Sequence, residues 1–110
     1  MWIFFNDSFV SCVEHKKDHT KIMVRARLQG GIEALFPGVD VERTPDADYL
    51  YRAVVSKEDV SKMVSDRIQG IDYPNFKNSV TDNRRHDAYS RVWEVMLQAQ
   101  EMYNKLVRKY

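Results

Sequence analysis

The segment Lys21-Ile22-Met23-Val24-Arg25-Ala26-Arg27 decides how this chain is read. Ile22, Val24 and Ala26 fall on one side of an extended ribbon, and Lys21, Met23, Arg25 and Arg27 fall on the other. Successive side chains of a strand point to opposite faces, so the segment predicts a half-buried strand with an aliphatic inner side and a guanidinium-bearing outer side. The residues before it continue that theme. Trp2 to Phe5 is rich in β-favouring residues, Asn6-Asp7-Ser8 has turn chemistry, and Phe9 to Glu14 is extended again, which together predict a hairpin. His15-Lys16-Lys17-Asp18-His19 reads as a solvated loop.

After the central strand, Leu28, Ile32, Leu35 and Phe36 recur at helical spacing before Pro37-Gly38, which predicts a short helix. Gly30 and Gly31 weaken its first turn by about 1 kcal/mol each. Val39 to Arg43 alternates, Thr44-Pro45-Asp46-Ala47 is turn-like, and Asp48 to Val55 is strand-like, so a second hairpin is expected. The remainder is helical. Ser56 stands three residues before Asp59, as in a capping box, and an apolar stripe of Val60, Met63, Val64, Ile68 and Ile71 ends near Gly70. Pro74 breaks the pattern across Asp72 to Lys77, because it lacks an amide donor and disfavours helical geometry at Tyr73. From an N-terminus near Thr81 or Asp82, the positions Tyr89, Val92, Trp93, Met96, Ala99, Tyr103, Leu106 and Tyr110 mark one long amphipathic helix. Such a stripe is expected to be core, Trp93 included, lying across the sheet or another helix. Strands first and helices afterwards define an α+β class: an antiparallel sheet of about four to five strands in the first half, packed on one face by two to three helices.

Residues 1–110 are expected to form a single domain, since halving 110 residues would leave two pieces too small for comfortable cores. Hydrophobic residues make up 44% of the chain, which argues against disorder. Seventeen Lys and Arg nearly cancel sixteen Asp and Glu, so no overall field gathers polyanions and strong non-specific nucleic-acid binding is not expected. Any anion site has to be a local patch. The one cysteine, Cys12, has no disulfide partner, and the apolar start Met1 to Phe5 is cut short by Asn6-Asp7. Neither a signal peptide nor a membrane span is therefore expected, and the cytoplasm is the expected compartment.

Self-sufficient catalytic motifs are missing from the sequence: it holds no P-loop, dinucleotide fingerprint, Gly-x-Ser-x-Gly or His-Glu-x-x-His arrangement. His15, His19 and Cys12 sit among lysines that oppose a divalent cation, so no metal and no cofactor are expected. Cys12 reads as a structural thiol. An enzymatic alternative assembles an acid and base from His86 with Asp72 or Asp87, which requires convergence in the fold.

Two surfaces carry binding chemistry. On the outer side of the central strand, Arg25 and Arg27 are joined from a neighbouring strand by either Tyr49 and Tyr51 or Arg52. Guanidinium groups grip oxyanions bidentately and aromatic rings stack on bases. The competing structural reading pairs these arginines with Asp40, Glu42 or Asp48 as a solvated, salt-bridged surface. The second surface is the interruption, with Tyr73, Asn75 and Lys77, followed by Arg84 and Arg85 near a helix N-terminus, where anions are favoured. Here the competing reading makes Tyr73 and Phe76 packing wedges.

Taken together, Met1 to Phe4, Met23 to Arg27, Asp48 to Arg52, Ile71 to Lys77 and Val92 to Met96 resemble a family of small uncharacterised single-domain bacterial proteins. That resemblance implies a bacterial, phage or mobile-element source and transfers no site residue. The functional expectation is a non-enzymatic binding or adaptor module that recognises a protein or a nucleotide-like anion, one form being a mobile-element inhibitor of a host nucleoprotein. A structural homo-oligomer, with a homodimer as its simplest form, is the remaining alternative.

Overall fold

The computed structural model describes residues 1–108. Its elements are β1 (Trp2–Phe4), β2 (Phe9–Glu14), β3 (Lys21–Ala26), β4 (Glu42–Arg43), β5 (Tyr51–Ser56), α1 (Lys57–Gln69), a 3-10 turn (Lys77–Ser79) and α2 (Asn83–Arg108). The five strands form one antiparallel sheet in the order β1-β2-β3-β5-β4, and the class is α+β as the sequence predicts. Two compact units divide the described chain, Met1–Tyr73 and Pro74–Tyr110. None of the described helices is long and apolar enough to cross a membrane.

In the first unit, β3 lies at the centre of the sheet and is turned as its alternation requires. Val24 and Ala26 are buried and Ile22 is partly so, in a core with Val10 and Cys12 of β2 and Ala53 and Val55 of β5. Helix α1 closes this face with Met63, flanked by Val60 and Val64. It follows β5 without a loop: the Ser56 hydroxyl accepts the Asp59 amide at 3.0 Å, and Gly70 ends the helix by donating to the Asp66 and Ile68 carbonyls. Ile68 and Ile71, expected on the buried stripe, are exposed, because the stripe outruns the sheet beneath it.

The helix predicted over Leu28 to Phe36 does not form. Isolated turn bonds join Ala34 to Gly30 and Phe36 to Ile32, and Gly30 and Gly38 adopt φ of +86° and +84°. A residue at positive φ ends a right-handed helix, so the glycines convert the periodicity into successive turns. The apolar residues nevertheless do what a helix would have done. Ile32 is fully buried, Leu35 nearly so, and Phe36, Val39 and Val41 cover the same core from the loop.

The first hairpin closes where expected, the Phe5 amide donating to the Ser8 carbonyl at 2.7 Å. Strand β4 is only two residues long, and β5 begins at Tyr51 rather than Asp48. Thr44 closes that second hairpin through its amide to Leu50 and its hydroxyl to the Tyr49 carbonyl at 2.7 Å.

In the second unit, Asp82 caps α2 by accepting the Arg85 amide at 2.9 Å, and this bond holds its carboxyl below the usual range. Phe76 stacks on Tyr89 with ring centroids 5.7 Å apart, which realises the packing role expected of Phe76. Val80 and Tyr89 are buried. The rest of the apolar stripe is not. Trp93 is 50% exposed and Tyr103 is 70% exposed, correcting the expectation that the stripe is core; Tyr110 lies outside the described residues.

Candidate functional site

The outer face of the sheet is set by register. Ser11 pairs with Trp2 on one side and with Arg25 on the other, Arg25 pairs with Arg52, and Arg52 pairs with Glu42. These five residues form one row across the sheet, on the face opposite α1. Tyr51 pairs with Ala26 and packs against the core, so it belongs to the inner face. Of the two sets left open by the sequence, the structure therefore brings Arg52 to Arg25, and removes Tyr51 from them by the two-residue period of a strand.

Tyr49 joins the cluster by a different route. It lies in the bend before β5, is 4% exposed, and has the Arg25 and Arg27 guanidinium carbons 4.6 and 4.2 Å from its ring centroid. Arg25 is further fixed by donating to the Ser11 hydroxyl at 2.7 Å, and Arg27 donates to the Asp48 carbonyl at 3.0 Å. Cation–π contact and hydrogen bonding hold both planes in place without neutralising either charge.

Carboxylates stand nearby, Glu42 directly opposite Arg52 among them, but few engage the arginines. Asp48 contacts Arg52 at 3.3 Å through a largely exposed side chain, a geometry of modest energetic weight. Neither Arg25 nor Arg27 has an ion-pair partner among the described residues, and neither Asp40 nor Glu42 bridges any of the three arginines. Of the three guanidiniums, only that of Arg52 touches a carboxylate. The Nε atoms of Arg25 and Arg52 are buried without an acceptor among the described residues, and such a donor costs about 1–3 kcal/mol. Like charges directly opposite on neighbouring strands add a further cost. A salt-bridged surface built for stability would avoid both.

Aromatic surface adjoins the cluster. Trp2 is 68% exposed, its ring meeting Phe9 edge-on at 6.3 Å, and Phe9 packs on Phe4 at 4.6 Å. On the other side of Arg52 lies an open groove of about 490 Å³, lined by Met23, Val54 and the segment from Val39 to Glu42. Sequence reasoning missed Trp2, Ser11 and the distinct role of Tyr49. The signal for Trp2 lay in the hairpin register, since the Asn6-Asp7-Ser8 turn sets it opposite Ser11.

The second predicted surface is engaged differently. Asn75 accepts the Asn78 amide at 3.0 Å, and the Lys77 ammonium rests 4.0 Å from the Trp93 ring centroid. Arg84 is exposed and Arg85 half-buried in the first turn of α2, while Tyr73 closes the other unit. Asn75 and Lys77 are thus occupied in shaping their own loop.

Of the groups considered for catalysis, Asp87 is turned to Arg91 at 3.2 Å. His15 Nδ1 accepts the amides of Lys17 and Asp18, and His19 Nδ1 lies 2.6 Å from Glu14. Cys12 is buried, and desolvation pushes its thiol pKa up, which disfavours the reactive thiolate. No family model, curated protein or solved structure matches the chain.

Proposed function

We propose that this protein is a small cytoplasmic binding module that recognises a nucleotide-like anion on the outer face of its sheet. Arg25, Arg27 and Arg52 receive the phosphate, and Trp2 offers a ring for base stacking. The observation that carries this reading is three immobilised guanidiniums, two of them with an unmet Nε donor, of which only Arg52 touches a carboxylate. An arriving oxyanion adds negative charge beside the guanidiniums and relieves the repulsion between Arg25 and Arg52. An acidic protein loop offers the same oxygens, but it leaves Trp2 without a flat partner. A base attached to the phosphate uses both, as single-strand binding surfaces do.

The test is calorimetric titration with three probes: inorganic phosphate, ATP and a short single-stranded oligonucleotide, with a poly-glutamate peptide as the rival anion. ATP or the oligonucleotide is expected to bind more tightly than phosphate and the peptide. Arg25→Gln with Arg52→Gln is expected to weaken that binding at least about tenfold, with the thermal midpoint unchanged or raised. Equal affinity in the double variant rejects this face as the site. Preference for the peptide replaces the nucleotide with an acidic protein partner.

A further inference from the structure

Helix α2 carries an apolar stripe whose spacing differs from that of an ordinary surface helix. Val92, Met96, Ala99, Tyr103 and Leu106 alternate at intervals of four and three residues, a mean period of 3.5. A stripe of period 3.6 runs straight along a helix, whereas one of period 3.5 drifts slowly around it and stays in contact only with a partner that winds with it. The partner that shares this period by construction is another α2.

Shape points the same way. Ala99 sits in a hollow of about 450 Å³ on the helix surface, bounded by Trp93, Met96 and Tyr103. The stripe therefore carries a hole at its middle and large side chains on either side of it. A two-fold interface requires one surface to supply both knobs and holes, and this one does. Charge places no obstacle in the way. From Val92 to Val107 the seam positions and the positions flanking them, Trp93, Val95, Gln100, Met102 and Val107, hold no ionisable group other than the Tyr103 phenol, so apart from Lys77 against the Trp93 ring at one end two copies meet without opposing like charges. Along the seam and its flanks, Val92, Trp93, Val95, Met96, Met102, Tyr103, Leu106 and Val107 are each 40–74% exposed, an unbroken apolar surface of the kind that marks an interaction site.

We propose that α2 pairs with α2 of a second copy of this chain, through the stripe centred on Ala99. The inference uses none of the residues of the proposed anion face and stands apart from it. Sedimentation equilibrium from about 1 to about 500 µM is the experiment, since mass action must shift a reversible dimer across such a range. The wild-type mass is expected to rise from that of one chain, 13.0 kDa, to about twice that value. Met96→Glu with Tyr103→Glu is expected to remain monomeric throughout, while Gln98→Lys, on the polar side of the helix, dimerises like the wild type. Ala99→Trp fills the hollow without adding charge, and it is expected to raise the dissociation constant at least tenfold while far-UV circular dichroism of the dilute monomer keeps its helical signal. A wild-type protein that stays monomeric at every concentration overturns the proposal. So does a dimer that survives both the double glutamate variant and Ala99→Trp, or a mass that grows without limit.

Discussion

Ile32 shows how much a single side chain can matter outside regular structure. It is fully buried although it lies in a run of turns, and Gly31 beside it is closely packed. A Cβ at Gly31 would stand 3.3 Å from the Leu28 carbonyl oxygen and 3.4 Å from the Ser8 hydroxyl, which itself donates to the Gly31 carbonyl at 2.7 Å. Ile32→Ala is expected to destabilise the protein by about 2–5 kcal/mol, measured by urea unfolding, whereas Leu28→Ala, at an exposed position, changes it by under about 0.5 kcal/mol. Equal effects at the two positions would mean that the turn region contributes nothing to the core. The spacing of Leu28, Ile32, Leu35 and Phe36 identified the apolar residues that matter here. It did not identify their conformation, because backbone freedom at Gly30 and Gly38 acts independently of the hydrophobic pattern.

Among the elements, β5 and α1 are joined most tightly. Ser56 ends the strand, pairing with Lys21, and caps the helix, so no connecting residues separate the two. Ser56→Ala leaves the Asp59 amide without its acceptor and is expected to cost about 1 kcal/mol of stability, with Ser56→Asp retaining most of it. Thermal unfolding of the two variants checks this; identical losses would show that the hydroxyl contributes through packing instead. This boundary was legible because capping chemistry is local. The outward turn of Arg25 was legible for the same reason, from alternation within β3. The company Arg25 keeps was not, because whether Tyr51 or Arg52 lies beside it depends on the register of β3 with β5, two strands separated by a long stretch of sequence. The fate of the α2 stripe was likewise hidden, since periodicity reveals an apolar face and not what covers it.

At the scale of the whole molecule, ionisation bounds stability from both sides. Hydrogen bonds to His19 and then Lys57 hold the Glu14 carboxyl below its usual value, the Thr20 hydroxyl and amide do so for Asp18, and the Arg85 amide does so for Asp82. Each folded carboxyl therefore binds its proton less tightly than the unfolded one. The stabilisation is present above the unfolded value, about 4, and is lost as pH falls through the lower folded values. Cys12 acts with the opposite sign. Burial raises its thiol, so the unfolded chain ionises first, and stability declines once pH passes about 8.5. The thermal midpoint is expected to be level from about pH 5 to about pH 8 and to fall on either side. Calorimetry across the range checks this, and a midpoint unchanged down to pH 2.5 would contradict it. The crowding of Arg25 against Arg52 adds a dependence on ionic strength. Dissolved salt weakens repulsion between fixed charges of one sign, so the empty protein is most strained in dilute buffer and relaxes as electrolyte is added. On the proposed anion-binding reading the same electrolyte competes for that face, so the medium that most favours the unliganded fold is the one in which the proposed ligand is held least firmly.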